Sequence, residues 1–312
     1  MLQAVAPLLL LIVAGMALAR FGGFDEERRR ALDWLLFFVL MPAFIVSRLA
    51  TAEIDPAAVL DLLLAVAGLV AAMGVALMMA RVPICRLLSL SGPRFTSFLQ
   101  GVIRNNFFIP FALVEIGFEA RPGAALPDGL AALMAIAVVF NIVPATAASV
   151  FALTRYGHGG GTRLSWVRAL AGNPLVLAAL LGALLGGSGV GLAAPFATAL
   201  RMLGDGVLGL ALIAVGAGLR IEGVPGAGPA VLLSALLKLL VMPALAWAIT
   251  WAAGAEPAVR LAAVLLHAAP TAAGAYILAR QLGGDAETMA SMISLQTAAC
   301  LLTMPLVLWL AA

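Results

Sequence analysis

An all-α, polytopic membrane protein with ten transmembrane helices is the fold class this 312-residue sequence predicts. Three observations lead there. Hydrophobic residues make up 64% of the chain and charged residues 11%, against about 25% charged in soluble domains. Apolar runs of about twenty residues, long enough to cross a bilayer, recur along the chain. Arginines collect in alternate connectors, as they do when one side of a membrane is favoured.

The runs fall at 2–19, 31–50, 57–80, 95–118, 129–153, 166–187, 196–219, 227–251, 258–279 and 287–310. The first, MLQAVAPLLLLIVAGMALAR, looks like a signal peptide but has no basic start. It is read as the first transmembrane helix. The sixth is the least regular, because Arg168 and Asn173-Pro174 stand near its start. The connectors are short, and the glycine run Gly159–Gly161 reads as a flexible linker. One set of connectors holds Arg20, Arg28, Arg29, Arg30, Arg81, Arg86, Arg94, Arg155, Arg163, Arg168, Arg220 and Arg280. The opposite set holds only Arg48, Arg121, Arg201 and Arg260. The arginine-rich side is the cytoplasmic one, so both termini are expected outside, in a bacterial inner membrane.

Prolines recur at similar spacing in the two halves: Pro83 and Pro243, Pro110 and Pro270, Pro144 and Pro305, Pro7 and Pro174. The expected organisation is therefore two five-helix repeats, 1–153 and 166–312, joined by a cytoplasmic linker, 154–165. A five-helix unit crosses an odd number of times, so its second copy is inverted. Interrupted helices at matching places in inverted repeats mark a binding site. Here they are the fourth and ninth helices.

The fourth helix carries the polar residues least suited to hydrocarbon. The stretch GVIRNNFFIPFALVEIG places Arg104, Asn105, Asn106 and Pro110 inside an apolar run. Arginine offers a fixed charge and a planar fork that fits carboxylates. The asparagines can bind a substrate or only replace backbone partners lost at Pro110. The ninth helix carries His267, Pro270 and Thr271 in HAAPTAAGAYILAR, with small residues that allow close backbone approach. His267 suits proton coupling or a neutral bond to a neighbouring helix. Lys238, the one lysine, lies deep in the eighth helix. It either pairs with Asp61 or Asp205 or gives charge to an anion or proton path. Asp205, four residues after Arg201, is either half of a local ion pair or a cation or proton site. Asn141 and Thr303 read as helix-packing hydrogen-bonders. Cys85 and Cys300 show no disulfide pattern.

Enzyme signatures are missing. There is no P-loop, no HExxH and no other metal-ligand spacing, and no cofactor is expected. Scattered basic residues give no nucleic-acid patch.

The residues resemble a known family. RNNFFIPFALVEIG and, more closely, APTAAGAYILARQLGGDAE are similar to segments of the auxin efflux carrier family, the bacterial relatives of plant PIN carriers. VLMPAFIVSRLA, NPLVLAALLGALL, LGLALIAVGAGL and SLQTAACLLTMPL are similar to its second, sixth, seventh and tenth helices. The resemblance implies a ten-helix inverted-repeat fold with broken helices 4 and 9 that cross. It implies a secondary transporter of organic anions, dicarboxylates in bacterial members and auxin in plants. Asn105 or Asn106 would fill the crossover asparagine role, with Pro110 and Pro270 at the breaks. Two departures, Phe107 after Asn106 and Ala273-Gly274 where members carry asparagine, point to a more apolar site.

The expected function is an alternating-access carrier, an efflux carrier of organic anions. Arg104 supplies the charge, and Asn105, Asn106 and Thr271 the hydrogen bonds. Proton coupling through His267, Asp205 or Lys238 is the first expectation. A sodium-coupled symporter of the bile-acid type, using Ser294, Gln296 and Thr297, is the alternative, and a non-transporting sensor is another. Expected partners are a small organic anion, the lipid bilayer, a coupling proton or sodium ion and a second copy of the chain in a homodimer.

Overall fold

The computed structural model describes residues 2–52, 55–119, 129–158, 171–188, 192–219 and 228–311, and among these all regular structure is helical. Side chains are described for the same residues except 2–5, 115–119 and 308–311. The linker glycines Gly159–Gly161 and the arginines Arg121, Arg163, Arg168 and Arg220 lie outside the described residues, as does the side chain of Glu115.

In chain order the helices are α1 (Leu2–Phe21), α2 (Glu26–Leu49), α3 (Pro56–Met79), α4 (Arg81–Leu87), α5 (Gly92–Ile103), α6 (Phe108–Glu119) and α7 (Leu130–Tyr156). Then come α8 (Pro174–Gly187), α9 (Ala194–Asp205), α10 (Val207–Gly218), α11 (Pro229–Ala252), α12 (Pro257–Ala268), α13 (Gly274–Leu282) and α14 (Ala286–Ala311). Among the described residues, six helices are long and apolar enough to cross a membrane: α2, α3, α7, α9 with α10, α11 and α14. Three shorter apolar helices accompany them, 6–21, α8 and α12. The fourth and ninth runs are each split in two, as α5 and α6 and as α12 and α13.

Several helices begin or bend where side-chain chemistry dictates. Asp25 caps α2 by accepting from the Arg28 N–H, so Arg28, Arg29 and Arg30 stand inside a helix rather than in a connector. Asn173 caps α8 by accepting from the Leu175 N–H, with Pro174 at the first helical position. In α2 and α11 a widened turn precedes a proline: Met41 N–H bonds Leu36 O before Pro42, and Met242 N–H bonds Leu237 O before Pro243. Proline has no N–H and crowds the carbonyl four residues back, and an i→i+5 turn absorbs both defects. Helix α3 has a widened turn at Leu64–Gly68 without a proline.

The chain divides into two compact units, residues 1–59, 108–139 and 171–219, and residues 60–107, 140–170 and 220–312. In the first unit, α1 packs along α10, α2 packs on α8 and α9, and α6 packs on α1 and α10. Small residues bring the backbones together, as expected where lipid supplies no hydrophobic drive between helices. A Cβ on Gly182 of α8 would stand 2.8 Å from the Leu49 Cβ. One on Gly15 would collide with the Ile213 carbonyl, and one on Gly216 with the Ile12 carbonyl. Phe44 and Phe111 meet edge to face at 5.1 Å. The other face of α8 presents Leu177, Leu180, Leu181 and Leu184, the last 70% exposed, which suits a lipid-facing surface.

In the second unit, α5, α11 and α12 pack against α14, and Tyr156 at the end of α7 meets Phe95 near the start of α5 edge to face at 6.0 Å. Gly92 fits against the Tyr156 carbonyl, and the Tyr156 ring lies 4.3 Å from the Arg81 guanidinium. The turn before α14 is fixed by Asp285. Its carboxylate accepts from the Thr288 N–H at 2.9 Å and from Arg94 Nε at 3.1 Å. Burial alone would raise this carboxyl, but the Thr288 bonds and Arg94 outweigh it and hold it below the usual carboxylate value.

One expectation is corrected. Pro83 lies in the short helix α4 and not in the third transmembrane helix, while Pro243 is inside α11, so these prolines do not occupy matching places. The elements themselves match better. Both α3 and α11 open on proline and reach their widened turn after eight residues.

Replacing Gly216 by alanine should cost about 1–3 kcal/mol through overpacking. It should lower the melting temperature of the detergent-solubilised protein by several degrees. Gly209→Ala, where a Cβ meets nothing within 4 Å, should leave it unchanged or raise it.

Candidate functional site

The two interrupted helices of the second unit meet at their breaks. Helix α5 ends at Ile103, and Arg104 turns into extended backbone at φ −90°, ψ 138°. Helix α12 ends at Ala268, and Ala269 does the same at φ −68°, ψ 148°. Residues 104–107 and 269–273 are non-helical. The Asn106 N–H donates to the Pro270 carbonyl at 2.7 Å, so one break supplies the partner the other lacks.

A second set of bonds closes the same region. The Gln296 side-chain N–H donates to the Gly101 carbonyl at 2.9 Å and to Ser234 Oγ at 3.0 Å. Its oxygen accepts the Thr271 N–H at 2.9 Å. These partners fix the orientation of the amide, because a flipped Gln296 would set donor against donor at Thr271. The Thr271 hydroxyl lies 2.8 Å from both Gly101 O and Gln296 Oε1 and shares its one hydrogen between them. All four side chains or groups are buried. A Cβ on Gly101 would fall 2.6 Å from Ser234 Oγ and 2.7 Å from Met292 Sδ, so α5 approaches α11 and α14 only because residue 101 is glycine. Asn141 of α7 adds a longer bond, 3.4 Å, to the Ile103 carbonyl, as its packing role requires.

Beside this satisfied network stand groups that are buried without a partner. Asn105 is 4% exposed, and neither its Nδ2 nor its Oδ1 is bonded. Arg104 is half-buried, and its Nη1 is covered and unbonded. Its Nη2 lies 3.9 Å from where a Cβ on Gly274 would be. Gly274 opens α13, so the guanidinium sits at a helix N-terminus, itself the positive end of a helix. Charge, the Asn105 amide and a helix N-terminus thus converge with no acidic side chain among the described buried residues. Such a concentration of donors suits an anion that accepts from several of them.

Of the nine residues singled out in the sequence, Arg104, Asn105, Asn106, Pro270 and Thr271 come together at the breaks. Pro110 does not lie in one. It is the third residue of α6, where its missing N–H is among those a helix start leaves unbonded anyway. Asp205 is exposed at the end of α9 in the first unit and makes no ion pair with Arg201, whose guanidinium reaches Thr198 instead. Lys238 and His267 are both fully buried. Lys238 Nζ has no partner, so the expected ion pair with Asp61 or Asp205 is not formed. Thr303 Oγ1 is also unbonded, against its expected packing role. Cys85 and Cys300 are free thiols. Ser234 escaped notice in the sequence, since one serine in an apolar helix carries no pattern. Gln296 was considered only as a sodium ligand, and its oxygen is already occupied by Thr271.

Gln296→Leu leaves the buried Thr271 N–H without its partner, at about 1–3 kcal/mol, and leaves the Gly101 carbonyl with the Thr271 hydroxyl alone. Its melting temperature in detergent should fall well below that of wild type. Ser291→Ala, one surface bond further up the same helix, should change it by no more than about 0.5 kcal/mol.

Comparison with known proteins assigns the second half of the chain. Residues 162–308 match the family model described as membrane transport protein. No curated protein matches the chain. The matched stretch contains α8 to α13 and nearly all of α14, including the ninth-helix break, His267, Thr271 and Gln296. Over these residues the chain is similar to membrane transport proteins, the auxin efflux carrier-like transporters, and its several apolar helices fit a multi-pass membrane protein.

Proposed function

We propose that this protein is a secondary carrier of organic anions, holding a substrate carboxylate between the breaks of its fourth and ninth membrane segments. The observation that carries this reading is the unpartnered pair Arg104 Nη1 and Asn105, buried beside the N-terminus of α13. Arg104 supplies the charge. Asn105 offers a donor to the carboxylate and an acceptor to any protonated neighbour. Thr271 and Gln296 hold the breaks in place and leave Arg104 and Asn105 free for the ligand. A carboxylate bound there replaces water as the partner of these groups, the kind of exchange that favours a charged ligand in a low-dielectric site.

The wider arrangement in this proposal is ten membrane segments in two five-segment halves. The lengths of corresponding elements support it. The second segment and its counterpart have 24 and 25 residues, the third pair 24 each, the first parts of the broken pair 12 each, and the fifth pair 27 and 26. An odd number of crossings per half inverts the second copy, and alternating access follows if one group of segments moves against the other. The arginine bias places the middle connector inside the cell and both termini outside. The sodium-coupled alternative has less support, because Gln296 Oε1 is spent on Thr271 and no acidic side chain is among the described buried residues.

Flux of radiolabelled malonate, malate and indole-3-acetate into proteoliposomes tests the charge role. Arg104→Ala should reduce flux of the transported acid by about 10-fold to 100-fold, the equivalent of one charge-assisted hydrogen bond. Arg104→Lys should recover only part of it, having the charge without the fork. Undiminished flux in a correctly folded Arg104→Ala protein contradicts the assignment.

A further inference from the structure

A second buried cation lies in the same unit, one helical turn from the network but not part of it. Lys238 sits in the widened turn Leu237–Val241 of α11, four residues after Ser234. His267 sits in the last turn of α12, three residues before Pro270. Both side chains are 0% exposed. Lys238 Nζ, His267 Nδ1 and His267 Nε2 are all buried without a hydrogen-bond partner. Three elements converge on the spot, since the widened turns of α3 and α11 each pack against helix α12, and the α3 turn also packs on the part of α11 after its widened turn. The imidazole lies within electrostatic reach of Lys238 and faces the Ala65 carbonyl of the α3 turn, without forming a well-directed bond to it.

The charge inventory of this spot is one-sided. No aspartate or glutamate is among the described buried residues. Asp61, one turn before Ala65 on α3, is partly exposed and forms no ion pair with Lys238. Glu256, at the far end of α12, is exposed. An ammonium group buried without a counter-charge is strongly disfavoured, and three orphaned donor-capable nitrogens in one place are unusual in a native structure. Full burial of both side chains favours a small, bare anion over an organic acid.

We propose that Lys238 and His267 form a binding site for a small monovalent inorganic anion of halide size, separate from the carboxylate position at Arg104. The anion accepts from the Lys238 ammonium and from one imidazole N–H, while the Ala65 carbonyl orients the ring. The widened turns create the site: each removes one regular i→i+4 bond and lets α3 and α11 part locally. The ion is a resident counter-charge for the carrier and not its cargo.

Lys238 is the one lysine in the chain, which makes the site directly observable. Full-length protein labelled with ε-13C-lysine in detergent gives a single lysine side-chain signal. Sodium bromide should shift that signal saturably, sodium chloride should compete, and sodium gluconate at equal ionic strength should have no effect. His267→Leu should raise the half-saturating bromide concentration about fivefold or more, the loss of one buried hydrogen bond. Bromide should also raise the melting temperature of wild type and not that of Lys238→Met, which keeps the volume without the charge. A signal that bromide leaves unmoved overturns the proposal and points to an uncharged lysine. A shift that grows linearly without saturating, or one unchanged by His267→Leu, means an adventitious ion only and overturns it as well. No organic acid enters the experiment, so its outcome is independent of the carboxylate reading.

Discussion

A helix interrupted inside an apolar environment leaves backbone donors and acceptors that only the protein can satisfy, and the rest of the second unit is built around meeting that demand. The two breaks share the burden. Asn106 donates to Pro270, and the Gly101 carbonyl receives Gln296 from α14 and Thr271 from the second break. Each of these bonds depends on close approach, and close approach depends on glycine at 101. The polar residues of α11 and α14 in this region, Ser234 and Gln296, are explained by the same requirement.

What remains after that accounting is what makes the site chemically interesting. The network satisfies the backbone and leaves Arg104 and Asn105 with unused hydrogen-bonding capacity. In a structure where most buried polar groups are paired, a guanidinium nitrogen and a whole amide left over beside a helix N-terminus describe a ligand by its complement. The complement is an anion with several acceptor atoms. The likeness of residues 162–308 to membrane transport proteins supports the proposal that this ligand is a cargo rather than a fixed structural ion.

Much of this was legible in the sequence, for physical reasons that differ from residue to residue. The apolar runs revealed the helices because the bilayer imposes a length. Helix α3 was expected at 57–80 and runs from Pro56 to Met79, while α11 was expected at 227–251 and runs from Pro229 to Ala252. Arg104 and the asparagines stood out because polar side chains at that depth are expensive. The proline spacings misled, because proline marks different things in different places. Pro270 lies within a break, Pro110 begins a helix, and Pro243 follows a widened turn in a continuous one. The partners of the Gly101 carbonyl were hidden, since hydrogen bonds between residues 170 or 195 positions apart leave no local signal. The exposure of Asp205 was equally hidden, because it follows from where α9 ends at Gly206 and not from the charge pattern.

The central claim is that the breaks recognise a carboxylate by its charge. Equilibrium binding of an acid and its neutral ester to the purified protein tests this most directly, with malonate against dimethyl malonate and indole-3-acetate against its methyl ester. The account predicts that the acid that binds does so at least about tenfold more tightly than its ester, because only the carboxylate pairs with Arg104. Equal affinity for acid and ester would contradict it.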